Sequence, residues 1–147
     1  MPMRLIAIGE NGQPADDVLL PDIALAVCEA TAEMYQKSGF LRPWIGYLAE
    51  QDGQVLGTCA FKTAPQEHSV EIAYFTFPEH EGGGIATEMA RKLVEIARQS
   101  DVTLTITAQT LPQENASTAI LRKLGFMRNG TAHDLEAGEV WVWKRKS

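Results

Sequence analysis

Val70-Glu71-Ile72-Ala73-Tyr74-Phe75-Thr76-Phe77-Pro78-Glu79-His80-Glu81-Gly82-Gly83-Gly84-Ile85-Ala86-Thr87, running on to Arg98, is the stretch that decides the fold. Val70 to Phe77 is an apolar run rich in β-branched and aromatic residues, which predicts a strand. Pro78 ends it, three glycines follow, and Ile85, Met89, Leu93, Ile96 and Ala97 then recur on one face, which predicts a helix over Ile85 to Arg98. The first turn of a helix has N–H groups with no internal acceptor. Glycine has no Cβ to hold an anion away from them, and the helix dipole favours negative charge there. Gly82, Gly83 and Gly84 therefore suit a phosphate cradle. They also suit a flexible turn with a glycine-rich N-cap, and this segment alone leaves both readings open.

Outward from the loop, the chain punctuates clearly. Met3 to Ile8 reads as a first strand, and Pro21-Asp22 opens a helix with Ile23, Val27, Ala30 and Met34 at helical spacing, ended by Ser38-Gly39. Pro43 admits an extended segment, Trp44 to Ala49, and Asp52-Gly53 turns it into a partner strand, Gln54 to Phe61. Pro65 to His68 is turn-like, so Val70 to Phe77 becomes the third strand of a meander. Beyond the central helix, Val102, Leu104 and Ile106 alternate with threonines as a half-buried strand to Ala108. Glu114-Asn115-Ala116-Ser117 opens a short helix through Ile120, Leu121 and Leu124, stopped at Gly125. Phe126 to Ala132 and Val140 to Lys144 then read as two closing strands joined at Glu136-Ala137-Gly138. A meander followed by alternating helices and strands predicts a mixed α/β domain spanning residues 1–147.

Composition narrows the function classes. A chain of 147 residues, 45% hydrophobic and 22% charged, fits one globular domain. Its net charge of −6 argues against a nucleic-acid-binding surface and is compatible with a cationic or amine substrate. Lys144-Arg145-Lys146 is a basic cluster that a solvated tail explains. Cys28 and Cys59 form no CxxC pair and read as small core residues in a reducing compartment. No signal-peptide pattern and no run of ~20 apolar residues appears, so the expectation is a cytoplasmic protein with no membrane partner. His68 and His133 lack ligand-like spacing, so no metal site is assigned.

Two nucleotide-binding readings of the glycine loop fail. A dinucleotide fingerprint needs GxGxxG after the first strand and an acidic residue ending the next. Here Thr87 occupies the third glycine slot, and Asp101 begins its strand. The P-loop pattern GxxxxGK[ST] is absent. The short helix discriminates further, because Asn115, Ser117, Leu121, Lys123 and Gly125-Phe126 stand in the frame NxSxxxLxKxGF. Together with Pro78 through Ala86, this resembles the GNAT-type acyl-CoA N-acetyltransferases, in particular the branch of the ribosomal-protein N-terminal acetyltransferases. The likeness runs from about Trp44 to the C-terminus and includes Glu71-Ile72-Ala73-Tyr74 and Gly138 to Trp143.

The resemblance implies a mostly antiparallel central sheet flanked by helices, splayed after its fourth strand to admit acetyl-CoA as co-substrate. It implies that main-chain groups of Phe75, Thr76 and Phe77 bind the pantetheine arm. Gly82, Gly83, Gly84, Ile85, Ala86 and Thr87 would hold the pyrophosphate, and Asn115 and Ser117 would line the thioester end. The chain departs from the family at Glu81, where Arg or Gln is usual, and at Gly83, where a basic residue is common. An acidic side chain beside a diphosphate is unfavourable, and a missing cation forfeits charge-assisted hydrogen bonds.

Acetyl transfer needs a neutral amine, a polarised thioester carbonyl and a protonated leaving thiolate. Glu71 is the candidate base, directly or through water, since alternation puts it on one face with Ala73, Phe75 and Phe77 and it matches an acidic position of the branch. A strand carboxylate in a salt bridge is its plainer reading. The Thr76 N–H is the candidate oxyanion donor. The tyrosine acid of many family members is replaced by Leu121, which leaves Ser117 as the substitute acid, or as an ordinary helix-start serine. His80 reads as an exposed turn residue within reach of phosphate. Trp141 and Trp143 suit an acceptor wall, the core or a homodimer contact, and Arg42 and Glu67 lie in loops suited to border the acceptor entrance. The acceptor expected is a small-molecule or peptide amine, attacked directly in a ternary complex because neither cysteine has a nucleophile's surroundings. A non-catalytic acyl-CoA-binding module on the same fold is the alternative.

Overall fold

A computed structural model describes residues 2–146. In chain order the elements are β1 (Arg4–Ala7), α1 (Asp22–Ser38), β2 (Gly46–Gln51), β3 (Gln54–Phe61), β4 (Ser69–Thr76), a 3-10 turn (Pro78–His80), α2 (Ile85–Ser100), β5 (Thr105–Thr110), α3 (Ala116–Lys123), β6 (Met127–Asp134) and β7 (Gly138–Lys146). The strands form one seven-stranded sheet in the order β1-β2-β3-β4-β5-β7-β6. Among the described residues only β4 and β5 pair in parallel, so the sheet is mostly antiparallel, as the resemblance implies.

Two glycines reveal which helix covers which face. A Cβ on Gly46 would lie 3.0 Å from Thr31 Cγ2 and 3.4 Å from the Tyr35 hydroxyl, so this face lies under α1. A Cβ on Gly57 would lie 3.2 Å from Met89 Cε, so the opposite face lies under α2. The register pairs Gly46 with Ala60, Ala60 with Ala73 and Thr58 with Phe75. Successive strand residues alternate faces, which puts Glu71, Ala73 and Phe75 on the α1 side and Ile72, Tyr74 and Thr76 on the α2 side. The α2 face continues through Ile106 and Ala108 to Trp143, where Arg122 of α3 stacks 5.1 Å from the ring centroid. Helices α2 and α3 therefore share a face.

The parallel ladder is short. It pairs Ser69 with Thr105, Val70 with Ile106 and Glu71 with Thr107, and then stops, although both strands continue. Each strand stays with its other neighbour. Phe75 and Thr76 remain in register with Thr58 and Gly57, while Ala108 to Thr110 remain with Trp143 to Trp141. The fully buried Trp143 donates its indole N–H to Thr110 Oγ1 at 2.9 Å, which ties β5 to β7. The sheet consequently splays between β4 and β5.

Three local expectations change. The inward stripe of α1 is Ala24, Cys28 and Tyr35, whereas Ile23 is 37% exposed and Ala30 is exposed. The reason is Tyr35, whose hydroxyl donates to Ile8 O at 2.8 Å and accepts from Gly46 N–H at 2.9 Å, and so sets the helix rotation. Val102 is 66% exposed, because Asp101 accepts from the Thr103 N–H and hydroxyl and holds a turn until β5 starts at Thr105. Trp44 and Ile45 belong to a turn, with their N–H groups donating to Leu41 O and Pro43 O, so β2 begins at Gly46. Cys28 and Cys59 are buried, as a core role requires. Among the described residues no helix is long and apolar enough to cross a membrane.

Candidate functional site

The splay leaves main-chain groups facing a gap. Lys62 N–H donates to Glu71 O, and Phe77 N–H donates to Leu56 O, each at 2.9 Å. In an antiparallel ladder the hydrogen-bonding direction alternates from residue to residue. Glu71, Ala73, Phe75 and Phe77 therefore turn their N–H and C=O groups toward β3, and Ile72, Tyr74 and Thr76 turn theirs toward β5. Once β5 has diverged, the groups of Tyr74 and Thr76 face open space. Of the strand-end residues predicted to bind through the backbone, Thr76 is so placed. Phe75 keeps its main chain on β3, and Phe77 is 3% exposed with its N–H already used.

This gap opens into a cavity of about 540 Å³ on the α2 and α3 side. Tyr74, Phe75 and Thr76 form its strand wall. Gly82, Gly84, Ile85, Ala86 and Thr87 form one end, and Ala116, Ser117 and Ile120 of α3 close the other side. Gly82 and Gly84 have φ of 86° and 79°, a region that suits glycine, and a Cβ on either would meet nothing within 4 Å. The first N–H of α2 with a partner is that of Glu88, which donates to Gly84 O at 3.1 Å. The N–H groups of Gly82 to Thr87 carry no backbone hydrogen bond, and all of these residues except Gly83 line the cavity's end. Gly83 lines a separate cavity with Pro2, Met3 and Gln51. Among the described residues no Lys or Arg lines the main cavity, and the one charged side chain there is the exposed Glu81.

The two predicted α3 residues separate. Ser117 lines the cavity beside Tyr74, near enough for its hydroxyl to counter part of what burial does to the phenol. Asn115 does not line it, because its carboxamide accepts from Thr118 N–H at 3.1 Å while its own N–H donates to Thr118 Oγ1 at 3.0 Å. This capping box starts α3 and holds Ser117 in place. Leu121 is fully buried in the core.

Glu71 sits on the α1 side of the gap. A smaller cavity of about 110 Å³ joins it to Lys62, Ala73, Tyr74, Gln109 and Ser117. Lys62 Nζ lies 2.7 Å from Glu71 Oε2, at ion-pair distance but without hydrogen-bond alignment, and the Glu71 side chain is 26% exposed. The salt-bridge reading of Glu71 is thus present, and the same carboxylate lines the small cavity beside the gap.

Tyr74 is the residue that sequence reasoning missed. It lines both cavities already described and a third on the α1 side. Burial pushes its phenol up to about 12, and the neighbouring Ser117 hydroxyl only partly offsets that. Its signal was a lone phenol in the apolar run ahead of the glycines, on the face of Ile72 and Thr76. Trp143 takes the core role, and Trp141 stacks under Arg128, 4.2 Å from the ring centroid. His80, Arg42 and Glu67 are not among the residues lining these three cavities. Among the described residues no group of three or more potential metal ligands occurs.

Comparison with known proteins places this geometry in a family. The model of the acetyltransferase (GNAT) domain matches residues 20–127. The chain is 31% identical over 90 residues to the uncharacterized N-acetyltransferase p20 of Bacillus licheniformis, and 30% identical over 108 residues to the uncharacterized N-acetyltransferase YoaA of Bacillus subtilis. These matches cover 60% and 73% of the chain, but only 51% and 60% of the two relatives' own lengths. Among solved structures, the ribosomal-protein-alanine N-acetyltransferase of Brucella melitensis aligns with a TM-score of 0.65 at 23% identity, over 84% of this chain and 78% of that one. The putative acetyltransferase yncA of Salmonella typhimurium, solved with acetyl-CoA, aligns with a TM-score of 0.62 at 19% identity, over 85% and 72%. At these identities the structural likeness establishes the fold. Family membership rests on the domain match, which runs from just before α1, through the splayed strand and glycine loop, to the first residue of β6: the chain belongs to the GNAT acetyltransferase family.

Proposed function

We propose that this protein transfers an acetyl group from acetyl-CoA to a primary amine, a small molecule or a peptide N-terminus, by direct attack in a ternary complex. The observation that carries the reading is the continuity of free donors. Tyr74 and Thr76 main-chain groups in the gap lead into the unpartnered N–H groups of Gly82 to Thr87. Thr76 Oγ1 is also buried without a partner beside the same cavity, as expected of a group awaiting a polar ligand. These residues fit an elongated molecule with an amide-bearing arm and a diphosphate. The yncA structure, with its bound acetyl-CoA, supports that choice of co-substrate. When bound, acetyl-CoA supplies the activated acyl group.

The chain's residues divide the remaining work. Thr76 N–H points into the gap, where it polarises the thioester carbonyl. Glu71 takes the proton that the amine loses as its C–N bond forms and the C–S bond breaks, and the Ser117–Tyr74 pair returns a proton to the sulfur. Glu71→Ala is expected to lower kcat about 100-fold, the low end for a general base, with acetyl-CoA affinity within two-fold of wild type. Thiol release read beside calorimetry checks both, and unchanged turnover removes Glu71 from the mechanism.

A second reading, a non-catalytic acyl-CoA-binding module, draws on the absence of any Lys or Arg along the main cavity. Calorimetric titration with acetyl-CoA, using CoA and ADP as controls, separates the readings when followed by thiol release over an amine panel. Micromolar binding, about −8 kcal/mol, is expected of wild type. Binding without release on any amine favours the module. Removing the Glu81 charge should tighten binding, because that carboxylate borders the cradle. Glu81→Gln is expected to lower the Kd for acetyl-CoA about three- to five-fold at low salt, in the range of one exposed charge contact, and less at high salt. An unchanged Kd at low salt places Glu81 away from the bound diphosphate.

A further inference from the structure

The third cavity sharing Tyr74 lies between α1 and the α1 face of the sheet. It holds about 270 Å³, just below the ~300 Å³ at which sites for drug-sized ligands begin. Val27, Ala30 and Met34 of α1 form its roof. Thr58, Ala60 and Ala73 form much of its floor. Among the described residues no charged side chain lines it; of its two threonines, Thr31 and Thr58, the Thr58 hydroxyl is already committed to Tyr47 O at 2.9 Å. With Ala24, Cys28 and Tyr35 of α1 inward, Val27 and Met34 pack at the edge of the core and, with the exposed Ala30, border this space.

Position gives the cavity a role. It shares Tyr74 and Phe75 with the large cavity, and Ala73 and Tyr74 with the small one that holds Glu71. A molecule seated here with its amine at the Ala73–Tyr74 end would reach both the gap and Glu71. Its remaining part would rest on uncharged side chains. Burying a second charge there without a partner is costly, whereas an apolar group gains from leaving water. Resting on the acetyltransferase reading above, we infer that the acceptor is a primary amine carrying one compact apolar substituent, held between Val27, Ala30, Met34 and β4. The overall negative charge of the chain plays no part in this choice, because none of it faces the cavity.

The test uses the full chain with saturating acetyl-CoA and three amines: 2-phenylethylamine, spermidine and a tripeptide with a free, polar N-terminal residue. 2-Phenylethylamine is expected to give at least ten-fold higher kcat/KM than either competitor. Val27→Asp is expected to raise its KM at least ten-fold, and the exposed-site variant Ala30→Phe, which fills the cavity, to do likewise. Calorimetry with acetyl-CoA reports whether each variant keeps its fold and cofactor site. Preference for spermidine or the tripeptide overturns the inference and leaves the acetyltransferase reading standing. So does an unchanged KM in both variants. No thiol release with any amine, despite acetyl-CoA binding, overturns the acetyltransferase reading and the inference with it.

Discussion

Tyr74→Phe is expected to lower kcat about 100-fold while leaving the Kd for acetyl-CoA within two-fold of wild type. The substitution removes one oxygen and keeps the ring, so the wall shared by the three cavities retains its shape. What disappears is the hydroxyl beside Ser117, carried by the one phenol that borders the gap among the described residues. General acid assistance contributes roughly 10²- to 10⁴-fold, and loss of one member of a pair falls at the lower end. Because burial lifts the Tyr74 phenol to about 12, it stays protonated at neutral pH and holds a proton to give. Leu121, at the family's usual tyrosine position, is buried and has no proton to offer. Ser117→Ala should lose a similar factor, and the double variant little more than either alone, since the two act as one unit. Single-turnover kinetics with the three variants decide it. Full additivity would show that Tyr74 and Ser117 act separately, and wild-type turnover in Tyr74→Phe would leave the thiolate to be protonated by solvent.

Gly57→Ala is expected to destabilise the fold by about 2–3 kcal/mol and to weaken acetyl-CoA binding at least ten-fold. The added Cβ would stand 2.5 Å from Phe75 O and 3.1 Å from Thr76 Cα, both backbone atoms that cannot swing aside. Overpacking of this kind costs about 1–3 kcal/mol, and here relief requires β4 to move. Phe75 and Thr76 are the segment that borders the gap, so the same displacement disturbs the donors proposed to hold the pantetheine arm. Gly53→Ala is the comparison. Gly53 has φ of 82° and open space around it, so it carries only the left-handed strain of about 1–2 kcal/mol. Its acetyl-CoA affinity should be unchanged. Urea titration and calorimetry on both variants test the pair. If Gly57→Ala matches Gly53→Ala in both readouts, β4 tolerates displacement and the gap is not held by the β3 contact.

Much of the site was legible before any coordinates. The glycine loop, the helix after it and the NxSxxxLxKxGF frame all depend on residues close in sequence, where backbone freedom, helical period and capping act locally. Glu71, Ser117 and Thr76, which the family resemblance points to, line the cavities at the gap. Asn115 was assigned to the cavity wall, and yet the capping box that claims its side chain is itself a local motif. Its partner, Thr118 at the third helical position, replaces the usual Glu or Gln of that motif and so went unrecognised.

The sequence by itself determined the order of elements, the glycine loop ahead of α2 and the family. The α1 rotation, the Lys62–Glu71 pair, the Tyr74–Ser117 contact and the uncharged cavity were decided only by tertiary structure. Strand alternation says that Tyr74 and Thr76 share a face, but not that β5 leaves their main chain unpaired after Glu71. That depends on Trp143 holding β5 to β7 from 33 residues away along the chain. Side-chain periodicity is a property of one segment, whereas an unsatisfied donor is a property of what does, or does not, lie beside it.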